Sequence, residues 1–110
     1  MIKIGTITLR GLSGNKYDFD VYKWGTGFHE FGAVYYISKR VVKFDGTVSH
    51  TQIYIGQTSN MSDRFDDHHK AQCFKDNGVN AISVHQDNDK DSRLEKEADL
   101  IGVHDPVCNS

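Results

Sequence analysis

The amino-acid sequence predicts an α+β fold: a small central antiparallel sheet flanked by two helices and extended by an N-terminal β-hairpin. Two patterns carry that expectation. Short segments that alternate apolar with polar residues are separated by Gly, Asn and Asp turns, while residues 61–74 and 93–102 carry apolar residues at helical spacing. A chain of 110 residues, 37% hydrophobic and 11% aromatic with one proline, suits a single compact domain and excludes disordered, collagenous and low-complexity classes.

The elements follow in order. Ile2 and Ile4, then Ile7 and Leu9 after a phase shift at Gly5, predict a strand with a bulge. Gly11–Asn15 turns the chain, and Tyr17, Phe19 and Val21 predict a return strand that buries its aromatic side. Gly25-Thr26-Gly27 marks a joint, so residues 1–32 read as a hairpin extension packed on a main domain of 33–110. Two further strands begin at Ala33 and Val48 around the hairpin pair Asp45-Gly46. Met61, Phe65 and His68 predict a helix over 61–74 capped by Asn60 and stopped at Asn77-Gly78. Ala81–His85 predicts a strand. Ser92 and Glu95 fit a capping box that opens a helix over 93–102, with Leu94, Ala98 and Ile101 on its buried stripe.

Charge and cysteine usage narrow the function classes. Net charge is −2, so bulk electrostatics does not coat nucleic acid. The charge is uneven: residues 1–53 carry 7 basic and 4 acidic side chains, whereas 76–110 carry 3 and 8, which steers a polyanion to the first half or to a local site. Cys73 and Cys108 are too few for a secreted disulfide scaffold and are expected to be reduced, Cys73 as a small core residue. No apolar run approaches the roughly 18 residues of a membrane span, and the start lacks a signal-like stretch, so a soluble, cytoplasmic protein is expected.

Chemistry concentrates in the run Ile53–His68. A strand delivers Tyr54, Gly56 permits a tight departure, and the expected helix sets Arg64 and His68 on one face at i, i+4. Taken alone, that pair reads as a solvated helix face. In context the run resembles the second half of the GIY-YIG nuclease signature, in which a Tyr-Ile-Gly strand end precedes a helix bearing Arg and, four residues on, His. Val34-Tyr35-Tyr36-Ile37 resembles the first half, with Ala33 where glycine is usual and Gly32 one place earlier. Glu97 stands where the family carries its metal-binding glutamate, and Asn109 matches the end of its Pro-x-x-Asn terminus. The similarity spans residues 33–109.

The resemblance implies a divalent-metal-dependent endonuclease acting on nucleic-acid phosphodiesters, DNA rather than RNA, with a protein partner as one source of specificity. It places Glu97 on Mg²⁺ or Mn²⁺, Tyr35 at the attacking water, Arg64 on the scissile phosphate and His68 as partner of the tyrosine. A single carboxylate suffices for Mg²⁺, which keeps much of its water. Tyr54 and Asn109 complete the expected site, Asn109 either as a site residue or as a bridge to nearby backbone. An ordinary phenol is protonated at neutral pH, so Tyr35 would need Arg64 and the metal to lower its pKa. The expectation is that Tyr35, Tyr54, Arg64, His68 and Glu97 converge on one open face.

Other readings stand beside these. Tyr35 and Tyr54 also suit core aromatics, and His69 is expected to face solvent. Lys39, Arg40, Lys43, Lys70 and Lys75 either follow a phosphate backbone or are surface charge. Arg93 either steadies Glu97 at i+4 or lies on the surface. His68, His69, Cys73, His104 and Cys108 offer zinc-type ligands at a spacing that matches no familiar framework. A competing function is a binding or interaction module with weak or absent catalysis on the same fold.

Overall fold

The computed structural model describes residues 2–63 and 68–109. Among these residues five strands form one antiparallel sheet: β1 (Gly5–Arg10), β2 (Lys16–Lys23), β3 (Ala33–Val42), β4 (Val48–Thr58) and β5 (Ala81–Gln86), in the order β1-β2-β5-β3-β4. Two helices, α1 (Ala71–Asp76) and α2 (Lys90–His104), and a 3-10 turn at Val107–Asn109 accompany it. The α+β expectation holds at this level, and β2 joins the sheet by pairing with β5 from Asp20↔Val84 to Lys23↔Ala81.

Alternation in the strands divides the core into two layers, one on each sheet face. Tyr35, Ile37, Ile82 and Val84 pack with Phe74 of α1, Met61 and Cys108 on one side. Phe19, Val34, Tyr36 and Ile55 pack with Leu100 of α2 on the other. The β3/β4 register shifts between Ile37 and Ser38, where Ile37 pairs with Tyr54 but Ser38 pairs with Gln52. This irregularity lets Ile53 and Tyr54, consecutive residues, both pack into the first layer. The bulge expected at Gly5 is absent: β1 starts there, its register runs unbroken to Arg10, and Ile2 is exposed.

The hairpin β1–β2 is also tied to α2. Asp99 accepts from the Ser13 amide at 2.8 Å, the Ser13 hydroxyl at 2.7 Å and the Tyr17 hydroxyl at 2.7 Å. Between β2 and β3, Tyr22, Phe28 and Phe31 form a chain of edge-to-face contacts against the first layer.

Three sequence expectations are corrected. No helix starts at Met61: the Asn60 carboxamide accepts from the amide and hydroxyl of Ser62, and the Met61 amide donates to the Phe31 carbonyl at 2.8 Å. Those bonds make a turn and draw Met61 into the core, so the described helix is limited to Ala71–Asp76. The second helix begins at Lys90, with Asp89 as N-cap accepting from the Ser92 amide, while the Ser92 hydroxyl donates to Asp87 at 2.5 Å. Its inward residues are Arg93 and Leu100, and Leu94 and Ala98 are exposed. Finally, Cys73 and Cys108 are not reduced but form a disulfide with their Cα atoms 6.0 Å apart. Packing of α1 against the C-terminal turn creates that proximity, which a cysteine count cannot reveal. The pairing also removes cysteine usage as an argument for a reducing compartment. No helix among the described residues is long and apolar enough to cross a membrane.

Candidate functional site

Tyr35 and Gly56 are directly opposed in the β3/β4 pair. Because Gly56 has no Cβ, the Tyr35 ring lies across it: a Cβ there would fall 2.5 Å from the Tyr35 hydroxyl oxygen and 2.7 Å from Cε2 of Tyr54. The two tyrosine rings are 6.0 Å apart, and the His68 ring stands edge-on to both, at 6.4 Å from Tyr35 and 5.2 Å from Tyr54. Phe74 closes the group from α1, 5.3 Å from Tyr54 and 5.1 Å from His68.

The hydrogen bonds give this group a direction. His68 Nε2 lies 3.1 Å from the Tyr35 hydroxyl, and the Lys70 amide donates to His68 Nδ1 at 3.0 Å. An imidazole that accepts at Nδ1 carries its proton on Nε2 when neutral, so His68 donates to the Tyr35 oxygen. Tyr54 stands beside this pair, its ring centroid 6.0 Å from that of Tyr35, and each phenol acts on the protonation of the other. The result is a His68→Tyr35 donor pair with Tyr54 on its outer side.

Burial sets the protonation states. Tyr35 is 3% exposed, and its phenol is pushed far above the ordinary value of 10.0, first by burial and then by its acidic neighbours Tyr54 and Glu97. Tyr54 is half-buried and raised by the same burial and Glu97, with the neighbouring Tyr35 hydroxyl working the other way. His68 is lowered by burial and by the nearby positive charges of His69 and Lys70, which favours the neutral ring. Both phenols are therefore neutral at ordinary pH.

Glu97 is half-buried on α2, and burial raises its carboxyl above the usual 4.5 while the Gln57 backbone amide offsets only part of that effect. Arg93, one turn earlier and 4% exposed, donates to the Gln57 side chain at 3.0 Å and to the Asp87 carbonyl at 3.2 Å. It thus fixes the start of α2 to the end of β4, and a Cβ on Gly32 would fall 2.6 Å from its guanidinium. A partly desolvated, undercompensated carboxylate fits a hard cation that retains most of its water. Among the described residues no group of three or more His, Cys, Asp or Glu is placed to hold a metal. The zinc-type alternative fails on its sulfurs, since Cys73 and Cys108 are bonded to each other, and on His104, which lies 2.8 Å from the Arg10 carbonyl.

The remaining expected residues divide by location. Arg64 lies outside the described residues, as does the proposed i, i+4 geometry, and His68 itself sits in a turn before α1. Asn109 commits both ends of its carboxamide to Ile55, accepting from its amide at 2.9 Å and donating to its carbonyl at 2.8 Å, the backbone-bridging alternative. His69 is exposed and stacks on His68 at 4.4 Å. Lys70 is beside His68, whereas Lys39, Arg40 and Lys43 lie on the β3–β4 hairpin away from the tyrosines. The site is not a single open face: Tyr35 is enclosed, and Tyr54 is its more accessible phenol. Sequence reasoning missed Gln57 as the link between Arg93 and the strand end. Its only signal was its place directly after Tyr54-Ile55-Gly56.

No family model, curated protein or solved structure matches the chain.

Proposed function

We propose that this chain is a divalent-metal-dependent endonuclease of the GIY-YIG type, hydrolysing nucleic-acid phosphodiester bonds with DNA as the favoured substrate. The observation that carries the reading is the hydrogen-bonded approach of Tyr35 and His68, with Tyr54 at its outer end and the charge of Glu97 acting on both phenols. These residues come from β3, β4, α2 and the turn before α1, and they are four of the six that the family resemblance singles out, Arg64 lying outside the described residues and Asn109 bridging the Ile55 backbone.

In hydrolysis a water oxygen bonds to phosphorus as the bond to the departing sugar oxygen breaks, and that oxygen leaves with a proton. A divalent cation held by Glu97 would supply charge stabilisation at the phosphate. Neutral Tyr54 orients water by hydrogen bonding, and Tyr35 is a positioning residue that directs Tyr54 and is itself held by His68. This differs from the sequence expectation that Tyr35 deprotonates water, because burial makes its phenolate costly.

The enclosure of Tyr35 also favours a second reading, a nucleic-acid-binding module with little catalysis. The test is an assay on supercoiled and branched DNA and on structured RNA with Mg²⁺, Mn²⁺ or EDTA, using wild type and Glu97→Gln. Cleavage that needs the cation and is lost in the variant supports the nuclease. Binding without cleavage under every condition selects the module.

A further inference from the structure

Beyond Ser38, β3 no longer pairs with β5; residues 39–42 pair with 48–51 of β4, the Asn80 carboxamide still holds the Arg40 backbone at 2.6 and 2.9 Å, and past that tie the hairpin leaves the sheet as a two-stranded arm. Its far end is apolar and uncovered: Phe44 is fully exposed, and Val42 and Val48, directly paired, are 57% and 44% exposed. Scattered exposed apolar residues are ordinary, but a cluster at the end of a projecting arm marks an interaction surface. The tip is also pre-shaped. Lys43 and Thr47 are joined by a 2.8 Å backbone bond, Gly46 has φ +86°, and Asp45 accepts from the amide and hydroxyl of Thr47 at 2.9 and 2.7 Å. An ordered tip loses little conformational freedom when it binds.

The charges around the tip select the partner. Lys39, Arg40 and Lys43 accompany the single acid Asp45, so the arm is locally positive in a chain of net charge −2. A second copy of the chain meeting the arm symmetrically would oppose these cations to one another. A polyanion with apolar layers inside it complements both features.

We propose that the β3–β4 arm is a duplex-reading element that inserts Phe44 from the minor groove between two base pairs, with Lys39, Arg40 and Lys43 on the flanking phosphates. Apolar wedges framed by basic side chains are a general way to unstack and kink DNA. The proposal rests on the nucleic-acid substrate inferred above and adds how that substrate is placed. Phe44 lies nine residues from Tyr35, a reach of about 30 Å at ~3.3 Å per strand residue. A wedge at that reach sets the cut on the order of 9 base pairs from the unstacked step, which favours flexible pyrimidine–purine steps.

The experiment measures binding of the full chain in EDTA to a labelled duplex of about 25 base pairs, roughly two and a half turns, carrying 2-aminopurine as an unstacking reporter. Wild type should bind with a rise in 2-aminopurine fluorescence. Phe44→Ser should weaken binding by about tenfold or more and abolish the rise, with an unchanged melting temperature because the ring contributes nothing to the core. Replacing Lys39, Arg40 and Lys43 together by Gln should flatten the slope of log affinity against log salt by about 2–3. No duplex binding by wild type, an affinity within about twofold after Phe44→Ser, or no fluorescence rise overturns the proposal. So does a wild-type dimer in sedimentation that Phe44→Ser converts to monomer. Because no hydrolysis is required, failure of the nuclease reading leaves Phe44-dependent unstacking intact. Conversely, metal-dependent cleavage that survives Phe44→Ser with unaltered binding removes the arm alone.

Discussion

The ring of Tyr35 occupies the space that a side chain at Gly56 would fill, its hydroxyl oxygen 2.5 Å from where that Cβ would stand. Gly56 is thus a requirement of close approach rather than of unusual backbone geometry. Gly56→Ala should displace the enclosed Tyr35 ring, which has no flexible end to yield. Overpacking of this kind costs about 1–3 kcal/mol. The expected outcome is a lower melting temperature together with lost cleavage. An alanine variant with wild-type turnover would show that the Tyr35–Tyr54 arrangement is unimportant.

Much of the fold was legible where local pattern and tertiary demand coincide. Tyr17, Phe19 and Val21 alternate and do face one layer, Asp45-Gly46 does turn the hairpin, and Asn77-Gly78 does end α1, with φ +75° at Gly78. The misread segments are those decided by partners distant in sequence. Met61, Phe65 and His68 stand at helical spacing in the sequence, but at Met61 the carbonyl of Phe31, thirty residues earlier, captures the amide, and Phe65 lies outside the described residues. Of the expected stripe Leu94, Ala98 and Ile101, only Ile101 packs against the second layer, because the helix is rotated to bring Arg93 inside. Gln57 and the Asp87 carbonyl satisfy its guanidinium, and the helix turns that side inward. Of the site, the residue types and their order were legible, while the enclosure of Tyr35 and the direction of its hydrogen bonds needed the structure.

Glu97→Gln should abolish metal-dependent cleavage while preserving the fold, since it removes the carboxylate charge at the site. Glu95→Gln is the control, because Glu95 is exposed on α2 and takes no part in the cap, which Asp89 supplies. Cleavage assays with titrated Mg²⁺ and thermal melts on both variants check this. Full activity in Glu97→Gln would remove the metal assignment.

The Cys73–Cys108 disulfide closes a loop of 35 residues and joins α1 to the turn that carries Asn109. Reduction should lower stability by about 2–4 kcal/mol, and Tm by roughly 10 °C or more for a chain of this size. It should also loosen Asn109 from Ile55. Melting with and without dithiothreitol, and in Cys73→Ser/Cys108→Ser, gives the measurement. Equal Tm values with and without reductant would show that the cross-link contributes nothing.

Titration gives signed expectations for stability. His50 is lowered below 6.5 by burial and by the charge of Arg40, with its Nδ1 2.8 Å from the Ser38 hydroxyl, and His68 is lowered by its own surroundings. Below pH 6.5 the unfolded chain therefore binds more protons than the folded one at both positions, and stability declines as pH falls through that region. Asp87 and Asp99, held below the usual carboxylate range by their hydrogen bonds, extend the loss to more acid pH, whereas Glu97, raised by burial, opposes it. Tm should drop between about pH 7.5 and 5.5, and His50→Gln should reduce the drop. A melting temperature that stays constant over that range would contradict the assignments.

The His68→Tyr35 donor pair with Tyr54 beside it makes the most specific claim about function, and three changes separate its members. Tyr54→Phe removes the accessible hydroxyl and should lower turnover by the ~100-fold or more associated with losing a positioned acid–base group. Tyr35→Phe deletes the hydroxyl that His68 Nε2 approaches, and should lower turnover while also shifting Tm slightly. His68→Ala should reproduce the Tyr35→Phe defect, and combining the two should add little, because residues that act as one pair are not additive. His69→Ala should be nearly silent in turnover, since its ring is exposed and only stacks on His68. The pH profile discriminates further. With both phenols raised by burial and His68 lowered, the rate should climb through a carboxyl above 4.5, that of Glu97, and then stay level through neutrality. A limb near neutrality that disappears in Tyr35→Phe would mean that the phenol ionises during turnover and that Tyr35, not Tyr54, meets the water.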